Sequence, residues 1–269
     1  MKQIIVFTDL DGTLLNHEDY LFEDALPAVN KLKEKDIPII ITTSKTRKEV
    51  EIIQKQLRIK DPFITENGGG IFFRKGYRNF QLKGCKNIES YCLIQLGIEY
   101  EKIVEFEKRI KNRFHIKGFF EMSVEEVAQL TGLPIEMAKL AKEREFTEPF
   151  LLFNPEELPE LEREAQKHGI KITKGGRFYH FIGKNQDKGK AVKLTTEIFK
   201  ENLKKDIISI GLGDSKNDIP MLETVDIPVL IMKPDGSYED FERKNLIKSR
   251  YPGSKGWNQA ILELLNELH

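Results

Sequence analysis

Two carboxylates, Asp9 and Asp11, close the apolar run of "IIVFTDLDGTLL", where a buried strand gives way to a turn. Residues two apart on an extended chain face the same way, so both side chains can enter one small volume. Carboxylates held that close repel and are poorly hydrated, and a hard divalent cation such as Mg²⁺ is the simplest remedy. Alone, "DGT" is equally compatible with a tight turn built on Gly12. A second acidic turn, "ISIGLGDSKND", again ends an apolar stretch, with Asp214 and Asp218 behind glycines 211 and 213 that let backbone approach a ligand. Its simpler reading is a helix cap by Asp214 or Ser215. Donors for an anion stand at two further places. Thr43 and Ser44 finish "IPIIITTS", and Lys188 in "NQDKGKAV" opens a helix where its ammonium can neutralise an aspartate and a phosphate together.

These groups lie far apart in sequence, and only a parallel sheet brings them together, because such strands carry their C-terminal ends to one edge. The required alternation is present. Strands are predicted over Gln3–Thr8, Ile37–Thr42 and Phe63–Thr65, with helices over Glu23–Lys35 and Arg47–Leu57. The pattern returns late, as "DKGKAVKLTTEIFKENL", "DIISIGLG", "NDIPMLETV", "IPVLIM" and "GWNQAILELLNEL". From about residue 81 to 184 the texture changes to strands "YCLIQLG", "PFLLF" and "FYHFIG" among four helical stretches. The expected architecture is therefore α/β: a doubly wound, Rossmann-like parallel-sheet core from residues 1–80 and 185–269, with an α+β cap inserted at 81–184. A cleft between the two bodies is where chemistry is to be sought.

Composition narrows the class. Lys plus Arg and Asp plus Glu number 43 each, so no net field recruits nucleic acid or an anionic membrane. Charged residues reach 32%, above the roughly 25% of ordinary soluble domains, and lean weakly toward a heat-adapted source. No apolar run nears the length of a membrane helix and the N-terminus is not signal-like, so a soluble, cytoplasmic protein is expected. The two cysteines, Cys85 and Cys92, fit no zinc spacing and are read as packed thiols of a reducing compartment. Oligomeric state is not legible.

Taken in order, "DLDGT", a second-strand Thr, "KGKA" and "GDSKND" resemble the four motifs of haloacid dehalogenase superfamily phosphatases with a large α/β cap. The resemblance implies that Asp9 is the nucleophile and forms an aspartyl-phosphate, that Asp11 protonates the leaving alcohol and later activates water, and that Thr43 and Lys188 steady the phosphoryl oxygens. Mg²⁺ is implied at Asp9, the Asp11 carbonyl and Asp214, with Asp218 in support. "TSKTRKEV", "ITENGGGIF", "EREFTEPF", "KGGRFYHFIG" and "PGSKGW" are similar to mannosyl-3-phosphoglycerate phosphatases. That implies a phosphorylated glycoside as the small-molecule partner, with glucosyl-3-phosphoglycerate as a second substrate. A broader sugar phosphatase and a non-catalytic phosphosugar sensor are the rivals. For such a substrate, Arg177 suits a carboxylate or phosphate through paired donors, and Lys45 and Arg47 add cations. Glu66, Asn67, Tyr179 and His180 can meet hydroxyls or fix the Arg, Ser44 adds a substrate-binding donor beside Thr43, and Gly68 in the Gly68-Gly69-Gly70 run permits close approach. Each has a plainer reading as surface charge, turn or packing, and Arg144 of "EREFTEPF" is the least defined.

Overall fold

In β1 (Gln3–Thr8), successive side chains serve two different cores, as a strand covered on both faces requires. Val6 packs with one cluster, and Ile5 and Phe7 with the other. The structure, a computed structural model, describes residues 2–175 and 178–268. Along the chain the remaining strands are β2 Ile39–Thr42, β3 Phe63–Thr65, β4 Gly70–Arg74, β5 Lys86–Ile88, β6 Tyr91–Gln95, β7 Ile116–Gly118, β8 Thr147–Leu152, β9 Ile170–Lys174, β10 Tyr179–Gly183, β11 Ile207–Gly213, β12 Ile227–Met232 and β13 Ile247–Pro252. The helices are α1 Leu26–Glu34, α2 Arg47–Leu57, α3 Tyr100–Ile110, α4 Val124–Thr131, α5 Ile135–Ala141, α6 Leu158–Lys167, α7 Lys188–Leu203, α8 Ile219–Thr224 and α9 Gly253–Glu267.

The large sheet runs β13-β12-β11-β1-β2-β3-β4-β6-β5. Its pairings are parallel from β13 to β3 and antiparallel from β3 to β5. One core cluster joins this sheet to apolar residues of α1, α2 and α9, the other to those of α7 and α8. The doubly wound expectation holds, with an antiparallel extension added at one edge. That extension corrects the expected domain boundary. "YCLIQLG", placed in the cap by sequence, is β6 and pairs with β4, its Tyr91 and Leu93 facing one core and Cys92 the other. The second sheet, β7-β8-β10-β9, is antiparallel throughout and lies between β6 and α7 in the chain. Helices α3 and α6 cover one of its faces. The cysteines also depart from expectation. Cys85 and Cys92, seven residues apart, are joined as a disulfide with Cα atoms 5.4 Å apart, because the β5–β6 hairpin folds one toward the other.

Candidate active site

Asp9 follows β1, and its N–H donates to the Leu212 carbonyl of β11 at 2.9 Å, so the two acidic turns leave adjacent parallel strands side by side. The Thr8 hydroxyl donates to the Asp9 carbonyl at 2.7 Å and accepts from Trp257 Nε1 at 2.9 Å, which pins the turn to α9. Lys188 is the first residue of α7, behind the Asp187 cap, and its side chain is shut from solvent. Its Nζ donates to Asp9 Oδ1 at 2.7 Å and to Asp218 Oδ1 at 2.6 Å. Asp218 also accepts, through Oδ2, from Asp214 N, Ser215 N and Ser215 Oγ, each at 3.1 Å. Asp214 receives the Thr13 hydroxyl at 3.1 Å.

Carboxylate oxygens of Asp9, Asp214 and Asp218 lie within 4.8 Å of one another. Burial, then Asp218, pushes the Asp9 carboxyl up to about 7 although Lys188 opposes the shift; burial likewise holds Asp214 well above the carboxylate range. Three buried acids face one buried lysine, and a cation with a preference for hard oxygen ligands fits that deficit. The cradle is kept open by glycine: a Cβ on Gly12 would lie 2.6 Å from Asp214 Oδ2. Asp9 and Asp214 are thus the side chains that would hold such an ion, with Asp218, whose oxygens are taken by Lys188 and the 214–215 turn, orienting them from behind.

Asp11 takes another direction. Its Oδ2 is 2.9 Å from Lys45 Nζ, which is 3.7 Å from Glu49 Oε1, while its buried Oδ1 has no partner among the described residues. Burial opposes the charge on Lys45, yet Asp11 and Glu49 hold its ammonium above the usual lysine range. Both residues line a cavity of about 390 Å³ that opens from the acidic turns toward the small sheet. Asp9, Asp214, Ser215 and Asn217 form its floor, and Phe119, Leu133, Pro149 and Phe178 bring apolar surface from the cap. Arg144 and His180 are the polar cap residues beside them.

The family profile of haloacid dehalogenase-like hydrolases matches residues 6–233. A Persephonella marina protein named glucosyl-3-phosphoglycerate/mannosyl-3-phosphoglycerate phosphatase is 54% identical over 98% of both chains. This chain belongs to the mannosyl-3-phosphoglycerate phosphatase family of haloacid dehalogenase-like hydrolases. A Methanococcoides burtonii relative of the same name is 45% identical over 99% of this chain and 98% of its own. Among solved structures, Thermoplasma acidophilum 0175 matches with a TM-score of 0.72 at 17% identity, over 98% of this chain and 99% of that one. The sucrose-phosphatase of Synechocystis matches with a TM-score of 0.62 at 14% identity, over 98% of both. These last two likenesses speak for the fold alone.

Against this family frame, the residues singled out by sequence divide. Asp9, Asp11, Lys45, Ser44, His180 and Asp214 line the cavity. Lys188 and Asp218 lie directly beneath its floor. Thr43 is buried, and its hydroxyl accepts the Lys45 N–H at 3.2 Å. A hydroxyl that accepts one bond still has a proton to donate. Arg47 is a correction. Its guanidinium is spent on Glu51 at 3.1 Å, Glu89 at 3.1 Å and Glu145 at 3.3 Å, and it does not line the cavity, since it sits on the face of α2 toward the β5–β6 turn. Tyr179 is another. Strand alternation that points His180 into the cavity turns Tyr179 onto the opposite face, where it stacks on Phe150 with centroids 5.7 Å apart.

Glu66, Asn67 and Gly68 act as structure. All three have positive φ, and a Cβ on Gly68 would meet the Asp187 carbonyl at 2.2 Å. The Glu66 carboxylate accepts from Glu145 N at 2.8 Å, Phe146 N at 3.0 Å and the Thr147 hydroxyl at 2.8 Å, tying the core to the start of β8. Asn67 Oδ1 accepts from Asn217 Nδ2 at 3.0 Å. Arg177 lies outside the described residues. Glu49 and Phe178 were missed. Glu49 had a signal, the capping box "TRKE" from Thr46, and Phe178 lies two residues before His180 on the same strand face.

Proposed function

We propose that this phosphoric monoester hydrolase removes phosphate from mannosyl- and glucosyl-3-phosphoglycerate in a Mg²⁺-dependent reaction with Asp9 as nucleophile. The observation that carries the reading is the Asp9 carboxylate, buried at a cavity floor and aligned by Lys188, in a chain 54% identical to a phosphatase named for both glycosides. An Asp9 oxygen attacks phosphorus, the bond from phosphorus to the glycerate oxygen breaks, and an aspartyl-phosphate forms. Asp11, released from Lys45, gives the leaving oxygen its proton, then takes one from the water that attacks phosphorus and frees Asp9. Lys188 and the Thr43 hydroxyl hold phosphoryl oxygens through both steps. Asp9, Asp214 and the Asp11 carbonyl, with Asp218 oriented behind them, would hold Mg²⁺, which would supply neutralisation of charge on the transferred group.

The test is phosphate release from both glycosides by wild type and Asp9→Asn, beside a panel of simple sugar phosphates. Turnover of the glycosides well above the panel, abolished in the folded variant, is expected. A preference for simple sugar phosphates removes the substrate reading; full activity of the Asn variant removes the nucleophile.

A further inference from the structure

Among the described residues, two polar atoms of the cavity's cap side are buried without a hydrogen-bond partner: Arg144 Nε and His180 Nδ1. Such atoms are rare because an unmet buried donor or acceptor loses its hydration without compensation, so their place in a ligand cavity calls for a ligand. Arg144 is firmly set. Its Nη1 donates to the Ser44 carbonyl at 2.7 Å and to the Thr147 hydroxyl at 3.3 Å. Its side chain is 5% exposed, with Glu66 4.0 Å away and the Phe119 ring 6.0 Å from its central carbon. Those contacts hold one end of the guanidinium. The opposite edge, formed by Nε and Nη2, is the side-on fork that fits both oxygens of a carboxylate.

His180 beside it stays neutral. Burial, reinforced by Arg144 and Lys188, pushes its imidazole down to about 3, so it offers one donor and one acceptor and no charge. A neutral ring next to a fixed cation suits a molecule that carries hydroxyls next to an acid. The acidic floor, which handles the phosphate, belongs to the same cavity of about 390 Å³.

We propose that Arg144 determines specificity by pairing its Nε/Nη2 edge with a carboxylate on the phosphate ester, with His180 bonding an adjacent hydroxyl. The assignment rests on the phosphoglycerate-ester reading above and places the carboxylate contact on a described residue of the cap stem. A substrate with only a phosphate leaves Arg144 Nε unpaired; one with both acids satisfies each end of the cavity.

The probes are 3-phosphoglycerate and glycerol 3-phosphate, which differ in the carboxylate, used as competitive inhibitors of p-nitrophenyl phosphate hydrolysis by the full chain with Mg²⁺. Arg144→Gln is expected to weaken inhibition by 3-phosphoglycerate about 10- to 100-fold more than inhibition by glycerol 3-phosphate, the range of a charge-assisted hydrogen bond. Arg144→Lys is expected to recover part of that difference, because it restores charge without the fork. Equal losses on both probes overturn the proposal and leave Arg144 as a brace for Ser44. If the variants do not fold, wild type alone decides: the methyl ester of 3-phosphoglycerate must bind at least about tenfold more weakly than the acid, and equal binding overturns the proposal. Wild-type inactivity on the glycosides, with the probe difference intact, sinks the named substrates and spares Arg144.

Discussion

Glu107 of α3 is fully buried, and among the described residues neither of its carboxylate oxygens meets a donor in good hydrogen-bond geometry. A methyl placed on Gly118 would lie 2.4 and 2.5 Å from those two oxygens and 2.5 Å from Oε1 of Glu148, so two acids crowd one spot in the cap. Glu148 is already served by Tyr100 Oη and Phe120 N, each at 2.7 Å. Burial, then Glu148 and Glu121, pushes Glu107 up to about 9, with the Gly118 backbone N–H and Lys111 too weak to offset them. The folded protein therefore holds a proton that the unfolded chain, at 4.5, has released. With the native state binding more protons over that interval, the Glu107 contribution to stability is full below about pH 4.5 and declines as pH rises toward about 9. Each pH unit costs at most about 1.4 kcal/mol, nearly 5 kcal/mol at pH 8; relaxation and water entry bring this to about 2–3 kcal/mol. Glu107→Gln has the shape of the protonated acid and its amide can donate to Glu148. Thermal unfolding of both proteins from pH 5 to 9 is the assay. Asp9, Asp214 and Glu148 titrate in both, so the difference isolates Glu107. The variant is expected to melt about 5–10 °C higher at pH 8 and level with wild type at pH 5. Parallel curves, or a less stable variant at pH 8, refute the reasoning.

Gly68→Ala forces a Cβ at φ +87° to within 2.2 Å of the Asp187 carbonyl at the start of α7, and is expected to cost about 3 kcal/mol and displace Lys188. An unchanged melting temperature and kcat contradict it. Exhaustive dialysis against EDTA should abolish phosphate release and Mg²⁺ restore it, because three buried acids then face Lys188 alone; undiminished release by the dialysed protein would refute the cation assignment. Cys85→Ser opens a seven-residue link and should lower stability by about 2 kcal/mol, read as melting temperature with and without reductant; identical melting in both proteins speaks against the bond.

Much of the centre was legible because its signals are local. Acidic turns behind apolar strands, a lysine opening a helix and a Thr at a strand end need only the rule that parallel strands share an edge. α2 appears over the expected Arg47–Leu57, and β3 over Phe63–Thr65. Other features depend on which partner a segment meets. "YCLIQLG" reads as a strand, but nothing in its periodicity says which sheet it joins. Arg47 looks like a free cation until the hairpin tip delivers Glu89 to it. Tyr179 and His180 both offer sugar-binding groups in sequence, though alternation permits just one of an adjacent pair to face the ligand.

The contacts of Glu66 with residues 145–147 bear on attempts to recombine this enzyme. A cap grafted from a distant sugar phosphatase would bring its own stem, and the buried carboxylate would meet backbone of different spacing with no donors in place. Swapping the lid for altered selectivity therefore means moving the Glu66 loop with it, so the unit of exchange is the insert together with its seat.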